Sequence, residues 1–257
     1  MPRRASIAYD LALAAVVFLC AFCVRSDALP HFQSRLSALP RVTLWAWERY
    51  EDLHTLDTHR FAVAYLDRTI TIGLIVTNQP RRDTLIIPAT ISRIPVVRIE
   101  TLPYVDLSDA NRAEVVHQLL DVAAEPGISA LQIDFDATRS QRAFYSALLT
   151  DLRRQLPAKL PLSITALASW CAADDWLRTL PPEAKPDEAV PMLFRMEPGR
   201  HPGDLETYAI REPLCLGSAG LSTTEPWPDN LAGKRLYIFP DNGWQEDSPT
   251  DLIRRLP

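Results

Sequence analysis

Apolar runs of strand length recur along the chain and alternate with amphipathic segments of helix length. Such alternation builds a parallel sheet, because each helix returns the chain to the end where the previous strand began. Eight strand-like runs can be recognised, at residues 42–47, 61–66, 94–99, 130–135, 162–168, 189–196, 214–221 and 235–239. Eight strands in about 230 residues predict an α/β fold, an irregular (β/α)8 barrel of the TIM type. An open doubly wound sheet and a barrel that lacks one strand are the alternatives.

Amphipathic helices are predicted at residues 109–124, 140–155, 174–180 and 248–256. One segment interrupts the alternation at a point where a helix is expected. Runs at 70–76 and 84–87 flank the turn-forming residues 78–83, which read Asn-Gln-Pro-Arg-Arg-Asp. The sequence therefore predicts a β-hairpin insertion after the second strand.

The first 26 residues have the layout of an export signal. Arg3 and Arg4 precede fourteen uncharged, mostly apolar residues at 11–24, and Arg25 follows them. No small-x-small cleavage site is evident, so residues 1–26 are predicted to be a signal peptide or an uncleaved signal anchor. Residues 27–257 are then a single exported barrel domain, periplasmic or anchored in the inner membrane. The protein would touch the membrane only through the N-terminal segment, and only if that segment is not cleaved.

An oxidising compartment would permit a disulfide between Cys171 and Cys215. Their separation in sequence does not establish that the two residues are close. The pairing is therefore left open at this point.

Composition and motifs exclude several functional classes. The net charge is −5, whereas a general nucleic-acid binder needs a basic face. The chain has no Gly-rich phosphate-binding string, and its five His residues lack metal-ligand spacing. The sequence predicts no nucleic-acid partner, no metal and no cofactor, and it leaves the oligomeric state unknown.

The run at 131–136 carries polar residues where a buried strand should be apolar. Strand alternation places Gln132, Asp134 and Asp136 on one face, while the apolar residues of the other face pack against the helices. The polar face then points into the barrel, with Asp136 nearest the C-terminal mouth where barrel enzymes place their chemistry. Two neighbouring carboxylates disfavour each other's ionisation, so one can stay protonated and act as a general acid. An ion-paired barrel interior is the alternative.

Other predicted strand ends carry side chains that suit a carbohydrate cleft, where aromatic rings stack on sugar faces and polar groups bind hydroxyls. The candidates comprise the acids Glu48 and Glu100, the polar binders Tyr65, Arg98, Gln132 and Arg195, and the stacking platforms Trp45, Trp47, Trp170 and Trp244.

Three segments carry a family resemblance: LQIDFDA at 131–137, LSITALASWC at 162–171 and VPMLFRM at 190–196. From about residue 44 to 244 the chain resembles a bacterial family known as domain of unknown function 3142. That family is similar in outline to glycoside hydrolase family 18, whose fourth strand reads DxxDxDxE and whose sixth carries Met-x-Tyr.

The resemblance to family 18 implies roles for only part of its motif. Asp134 and Asp136 match the second and third acids. Leu131 replaces the first acid, Thr138 replaces the proton-donating Glu, and Phe194 replaces the Tyr. We therefore expect a glycan-active barrel with glycoside hydrolase-like activity on an envelope or environmental polysaccharide. The alternative is a noncatalytic barrel of the cell envelope that binds sugar or a protein partner.

Overall fold

Eight parallel strands close into a barrel in the computed structural model, which describes residues 35–194 and 209–256. The strands are β1 (Val42–Ala46), β2 (Glu51–Asp52), β3 (Phe61–Ile72), β4 (Val76–Pro80), β5 (Leu85–Ile86), β6 (Ser92–Thr101), β7 (Leu131–Asp134), β8 (Leu162–Leu167), β9 (Glu188–Met192), β10 (Ser218–Ser222) and β11 (Arg235–Phe239). Around the barrel the order is β1, β3, β6, β7, β8, β9, β10 and β11, and β11 pairs with β1 to close it. The predicted (β/α)8 class is confirmed, and both alternatives are excluded.

Two long helices cover one side of the barrel. They are α1 (Asp109–Ala123) and α2 (Arg142–Gln155), while α3 (Ala168–Ala172) and α4 (Pro249–Leu252) are short. The Ser108 side chain caps α1 by accepting a hydrogen bond from the Asn111 backbone N–H at 3.2 Å. Helix α2 buries residues at helical spacing from Phe144 to Leu152, which places one apolar stripe on the sheet.

The predicted helix at 174–180 is wrong, since turns occupy that segment. The Asp174 carboxylate accepts a hydrogen bond from the Trp176 backbone N–H at 3.1 Å and pairs with Arg142. These bonds favour a turn over a helix. The predicted strand at 214–221 is shorter than expected as well, because residues 213–215 form a single 3-10 turn ahead of β10.

The hairpin after the second barrel strand has a different turn from the predicted one. Strand β3 pairs antiparallel with β4, and the chain reverses at residues 73–75 rather than 78–83. A Cβ on Gly73 would lie 2.9 Å from Leu102 Cδ1, so a larger residue there would require the Leu102 side chain to move. Residues 78–80, which read Asn-Gln-Pro, lie in the exposed edge strand β4. A proline is tolerated there because an edge strand has unpaired backbone groups. The run at 84–87 instead supplies β5, which pairs in parallel with β2.

Several polar groups in the barrel interior form hydrogen bonds with one another. Trp45 Nε1 donates to Gln132 Oε1 at 3.1 Å, and Gln132 Nε2 donates to Ser163 Oγ at 3.0 Å. Nearer the N-terminal end, Tyr237 Oη donates to the buried carboxylate of Glu188 at 2.5 Å. The interior is therefore a packed layer of side chains and not a channel.

The N-terminal end of the barrel is closed by the segment that leads into β1. Leu36 and Leu39 pack into the interior cluster that contains Trp45 and Tyr237. The Arg235 guanidinium, at the start of β11, donates to the backbone oxygens of Leu36, Leu39 and Pro40. Residue 35 therefore lies at the face opposite the C-terminal ends of the strands.

Cys171 and Cys215 form a disulfide, with Cα atoms 5.9 Å apart. The bond joins α3 to the 3-10 turn before β10. Within the described ranges, no helix has the length and apolarity needed to cross a membrane. The predicted export segment at 1–26 and the candidate Arg195 lie outside the described residues.

Candidate active site

The alternation predicted for residues 131–136 agrees with the structure. Leu131, Ile133 and Phe135 pack in the outer apolar layer with α1 and α2. Asp134 points inward from the end of β7 and is buried, whereas Asp136 lies beyond the strand and reaches solvent. The two carboxylates therefore stand at the C-terminal mouth of the barrel.

Asp134 is held by two donors from the neighbouring strands. Arg98 Nη1, from β6, lies 3.1 Å from Asp134 Oδ2, and Thr165 Oγ1, from β8, lies 2.6 Å from Oδ1. Arg98 Nε also donates to Glu100 Oε1 at 2.9 Å. One guanidinium thus pairs with the carboxylates of both Glu100 and Asp134. Its charge compensates the cost of burying the Asp134 carboxylate.

Asp136 has a different electrostatic environment. The mouth partly buries the carboxyl group of Asp136, and this burial raises its pKa. The nearby charge of Asp134 adds to the increase, so that the pKa of Asp136 is about 6. Arg98 partly offsets the increase. Near pH 6 the mouth therefore holds an ion-paired carboxylate beside one that is partly protonated, which is the division of roles that acid–base chemistry requires.

An aromatic wall stands across the mouth from these acids, at the ends of β1, β9 and β11. The ring centroids of Trp47 and Phe239 are 6.3 Å apart, and those of Phe194 and Phe239 are 4.9 Å apart. Trp47 and Phe194 are half-buried, so part of each side chain reaches solvent. Only Trp47 was among the predicted site residues. The inward alternation of 235, 237 and 239 along β11 could have identified Phe239.

The structure contradicts four other predicted binding roles. Trp45, Trp170, Trp244 and Gln132 are 0, 2, 3 and 0% exposed. Trp45 and Gln132 hydrogen-bond each other inside the barrel, one layer below the mouth. Trp170 stacks on Trp176 in the outer layer, and Trp244 donates its indole N–H to the Trp45 carbonyl oxygen. Rings buried in this way cannot act as stacking platforms for a sugar.

Tyr65 also differs from its prediction. It lies on the outer face of β3, in the apolar cluster that covers β1 and β11, because the inward residues of that strand are Ala62, Ala64 and Leu66. Burial, with a contribution from Asp67, raises the pKa of Tyr65 to about 12. Tyr65 is therefore a packing residue.

The remaining candidate acids both lie on the rim. Glu100 is exposed and paired with Arg98. Glu48, in the loop after β1, accepts a hydrogen bond from the Arg82 backbone N–H at 2.9 Å. Of the predicted set, the structure brings Asp134, Asp136, Arg98 and Glu100 together. Thr165, which positions Asp134, was not among the predicted site residues.

Residues 91–182 match the model of a family described as Domain of unknown function (DUF3142). The match confirms the resemblance found in the sequence and covers about a third of the chain. It includes Arg98, Glu100 and both aspartates of the mouth. No curated protein matches the chain.

Two solved structures are similar to this one. The spore cortex-lytic enzyme SleL of Bacillus cereus has 12% sequence identity and a TM-score of 0.44, over 72% of this chain and 52% of that enzyme. An endo-β-N-acetylglucosaminidase of Cordyceps militaris in its apo form has 13% identity and a TM-score of 0.46, over 83% of this chain and 87% of that enzyme. The chain thus spans about half the length of SleL.

Proposed function

We propose that the barrel mouth binds a glycan and hydrolyses it, with Asp136 as the general acid. The observation that carries this proposal is the pairing of two unlike carboxyl groups. Asp136 is partly protonated near pH 6, and Asp134 is ion-paired with Arg98. Glycosidases need such a pair, one carboxyl to protonate the leaving oxygen and one carboxylate to meet the positive charge on the sugar ring.

The opposite wall supports a sugar as the ligand. The faces of a pyranose ring carry C–H groups that pack on aromatic rings, and its hydroxyls need donors and acceptors. Trp47 and Phe194 offer partly exposed aromatic rings, while Arg98, Glu100 and Asp136 offer polar groups across the mouth. A concave site with few, convergent polar groups is typical of a small-molecule or polymer subsite.

The hydrogen bonds of Asp134 define its part in the reaction. Both of its oxygens already accept a strong bond, one from Arg98 and one from Thr165. We assign this carboxylate to stabilising the positive charge that develops on the sugar ring, because the two bonds hold it in one position. Asp136 would donate its proton to the glycosidic oxygen as the bond between that oxygen and the anomeric carbon breaks. Water would then form the new bond to the anomeric carbon and return one proton to the Asp136 carboxylate.

Thr138 favours a second candidate, a noncatalytic barrel that binds glycan. This residue stands where family 18 carries its proton donor. Its hydroxyl lies 3.1 Å from Ser140 Oγ, and its backbone N–H donates to Gln141. A threonine has no carboxyl group, so the position presents none to a glycosidic oxygen. Binding without cleavage is the expected behaviour if Asp136 cannot replace that donor.

We also propose that the protein is exported, to the periplasm or to the periplasmic face of the inner membrane. The basic, apolar and polar order of residues 1–26 supports this location. The Cys171–Cys215 disulfide supports it independently, because such bonds persist in oxidising compartments.

The test uses the full chain, the Asp136→Asn variant and the control Asp121→Asn, which alters an exposed acid of α1. Each is incubated with xylan, glycol chitin, hydroxyethyl cellulose, laminarin and peptidoglycan, and new reducing ends are measured. We expect release by the wild type and the control, and a loss of about 10²- to 10⁴-fold in Asp136→Asn, the usual contribution of a general acid. Retardation in gels that contain each soluble polymer measures binding separately.

Each outcome points to one function. Binding without release supports the noncatalytic barrel. Release that survives Asp136→Asn contradicts the role of Asp136. Neither binding nor release with any of these polymers would overturn the assignment to glycans.

A further inference from the structure

A groove of about 740 Å³ lies beside the mouth, on its helical side. The loop between β6 and α1 forms one wall, and the start of α2 forms the other. Tyr104, Asp106, Arg112 and Ser140 are among its lining residues.

The groove and the mouth share a wall. Gln141 Nε2 donates to Thr101 Oγ1 at 2.7 Å, and Gln141 Oε1 accepts from the Thr138 backbone N–H at 2.7 Å. Thr101 follows Glu100 in β6, and Thr138 is two residues beyond Asp136. A polymer bound at the two acids can therefore continue into the groove without leaving the protein surface.

Tyr104 stands at the edge of the groove in a costly conformation. Its φ is +61°, in the left-handed region that residues other than glycine rarely adopt, and its side chain is fully exposed. Within the described structure, neither packing nor burial of the side chain offsets the energetic cost of this backbone conformation. A strained residue that presents an aromatic ring to solvent beside a cleft is a candidate for ligand contact.

The charge of the lining disfavours an anionic ligand. Arg112 is the cation of the groove, and it is already paired with Asp109 at 2.6 Å and with Asp151 at 2.8 Å. Asp106 adds an exposed acid. An anionic ligand such as a phosphorylated or sulfated chain would find no uncompensated positive charge there.

We propose that this groove holds further sugar units of a neutral polysaccharide whose cleaved or recognised unit lies at the mouth, with Tyr104 as a stacking platform. This inference rests on the proposed function and deepens it. It states that the protein prefers long chains to short ones.

The test compares Tyr104→Gly, Tyr104→Phe and the control Tyr50→Ala, which removes another exposed tyrosine ring. Glycine adopts a positive φ without strain, so Tyr104→Gly should fold at least as stably as the wild type. Gels that contain xylan, glycol chitin, hydroxyethyl cellulose or laminarin first identify the polymer that the wild type binds. Calorimetric titration then measures the affinity of each variant for the hexasaccharide and the disaccharide of that sugar.

We expect Tyr104→Gly to weaken hexasaccharide binding about 3- to 10-fold, the usual range for one aromatic contact, and to leave disaccharide binding unchanged. Tyr104→Phe and Tyr50→Ala should bind both ligands like the wild type. Unchanged hexasaccharide binding by Tyr104→Gly, or an equal loss for both ligands, would overturn the inference while leaving the glycan site intact. If the wild type binds none of the polymers, the proposed function is wrong, and this inference, which rests on it, is wrong as well.

Discussion

The two sides of the barrel are covered in different ways. On the side of β6, β7 and β8, the helices α1 and α2 bury a large apolar layer that runs from Ile70 to Cys215. On the side of β1, β10 and β11, the outer layer is covered by the two-residue strands β2 and β5, by loops and by the short α4. The first side is a regular α/β unit, and the second replaces its helices with irregular segments.

This difference matches the roles that we propose for the two walls of the mouth. Arg98, Asp134 and Asp136 stand at the ends of β6 and β7, on strands that the long helices hold in place. The aromatic wall of Trp47, Phe194 and Phe239 stands on the loop-covered side. Groups that move protons need fixed geometry, whereas rings that stack on a ligand tolerate small displacements.

The largest expected effect contrasts the cores of the two sides. Leu148→Ala removes a fully buried side chain of α2 and should lower the free energy of unfolding by about 4 kcal/mol, since long neighbouring helices cannot collapse into the cavity. Leu252→Ala removes a buried side chain of the four-residue α4 and should cost about 1–2 kcal/mol, because short elements relax. Urea unfolding measures both. Equal losses would show that the two sides are equally rigid.

A somewhat smaller effect is expected at the disulfide, whose two cysteines both lie in the apolar layer of the helix-covered side. The bond between Cys171 and Cys215 closes a loop with a sequence separation of 44. Replacing both residues with Ala should lower the free energy of unfolding by about 3 kcal/mol, chiefly by relaxing a constraint on the unfolded chain. Thermal unfolding with and without a reductant checks this. The reductant should destabilise the wild type and leave the double variant unchanged.

The smallest effect concerns pH and the exposed acid of the rigid side. The pKa of Asp136 is about 6 in the folded protein and lower in the unfolded chain. The unfolded chain therefore binds fewer protons between about pH 4 and 6, so the contribution of Asp136 to stability falls as the pH rises through that window. The effect is modest because solvent reaches the side chain.

Asp136→Asn cannot ionise, so this variant should gain stability relative to the wild type between pH 4 and pH 7. Urea unfolding of both proteins at the two pH values gives the difference. A relative loss of stability by the variant over the same interval would mean that the pKa of Asp136 is lowered by folding.

Periodicity allowed the barrel to be predicted, because eight strand-length runs recur along the chain and segments of helical period separate several of them. The same period of two placed Asp134 and Asp136 at the mouth. This period does not show how far below the mouth a residue lies. Trp45 and Trp47 share a face, but only Trp47 reaches the rim. Depth depends on the register between strands, which one sequence does not specify.

Other errors came from packing choices that leave no local pattern. Trp170 and Trp244 follow strands, as mouth residues do, but they turn away to fill gaps in the outer layer. The turn at residues 73–75 contains two exposed apolar residues, Leu74 and Ile75, so it lacks the polar composition by which turns are recognised. Tertiary contacts decided both cases.

The closed N-terminal end of the barrel determines how the molecule can be oriented. Because residue 35 enters beneath Leu36 and Leu39, whatever precedes it is attached to the face opposite the mouth. Immobilisation through the N-terminus, on a sensor chip or a lipid layer, would therefore direct the acids and the aromatic wall outward. A tether at that end leaves the approach to the mouth unobstructed.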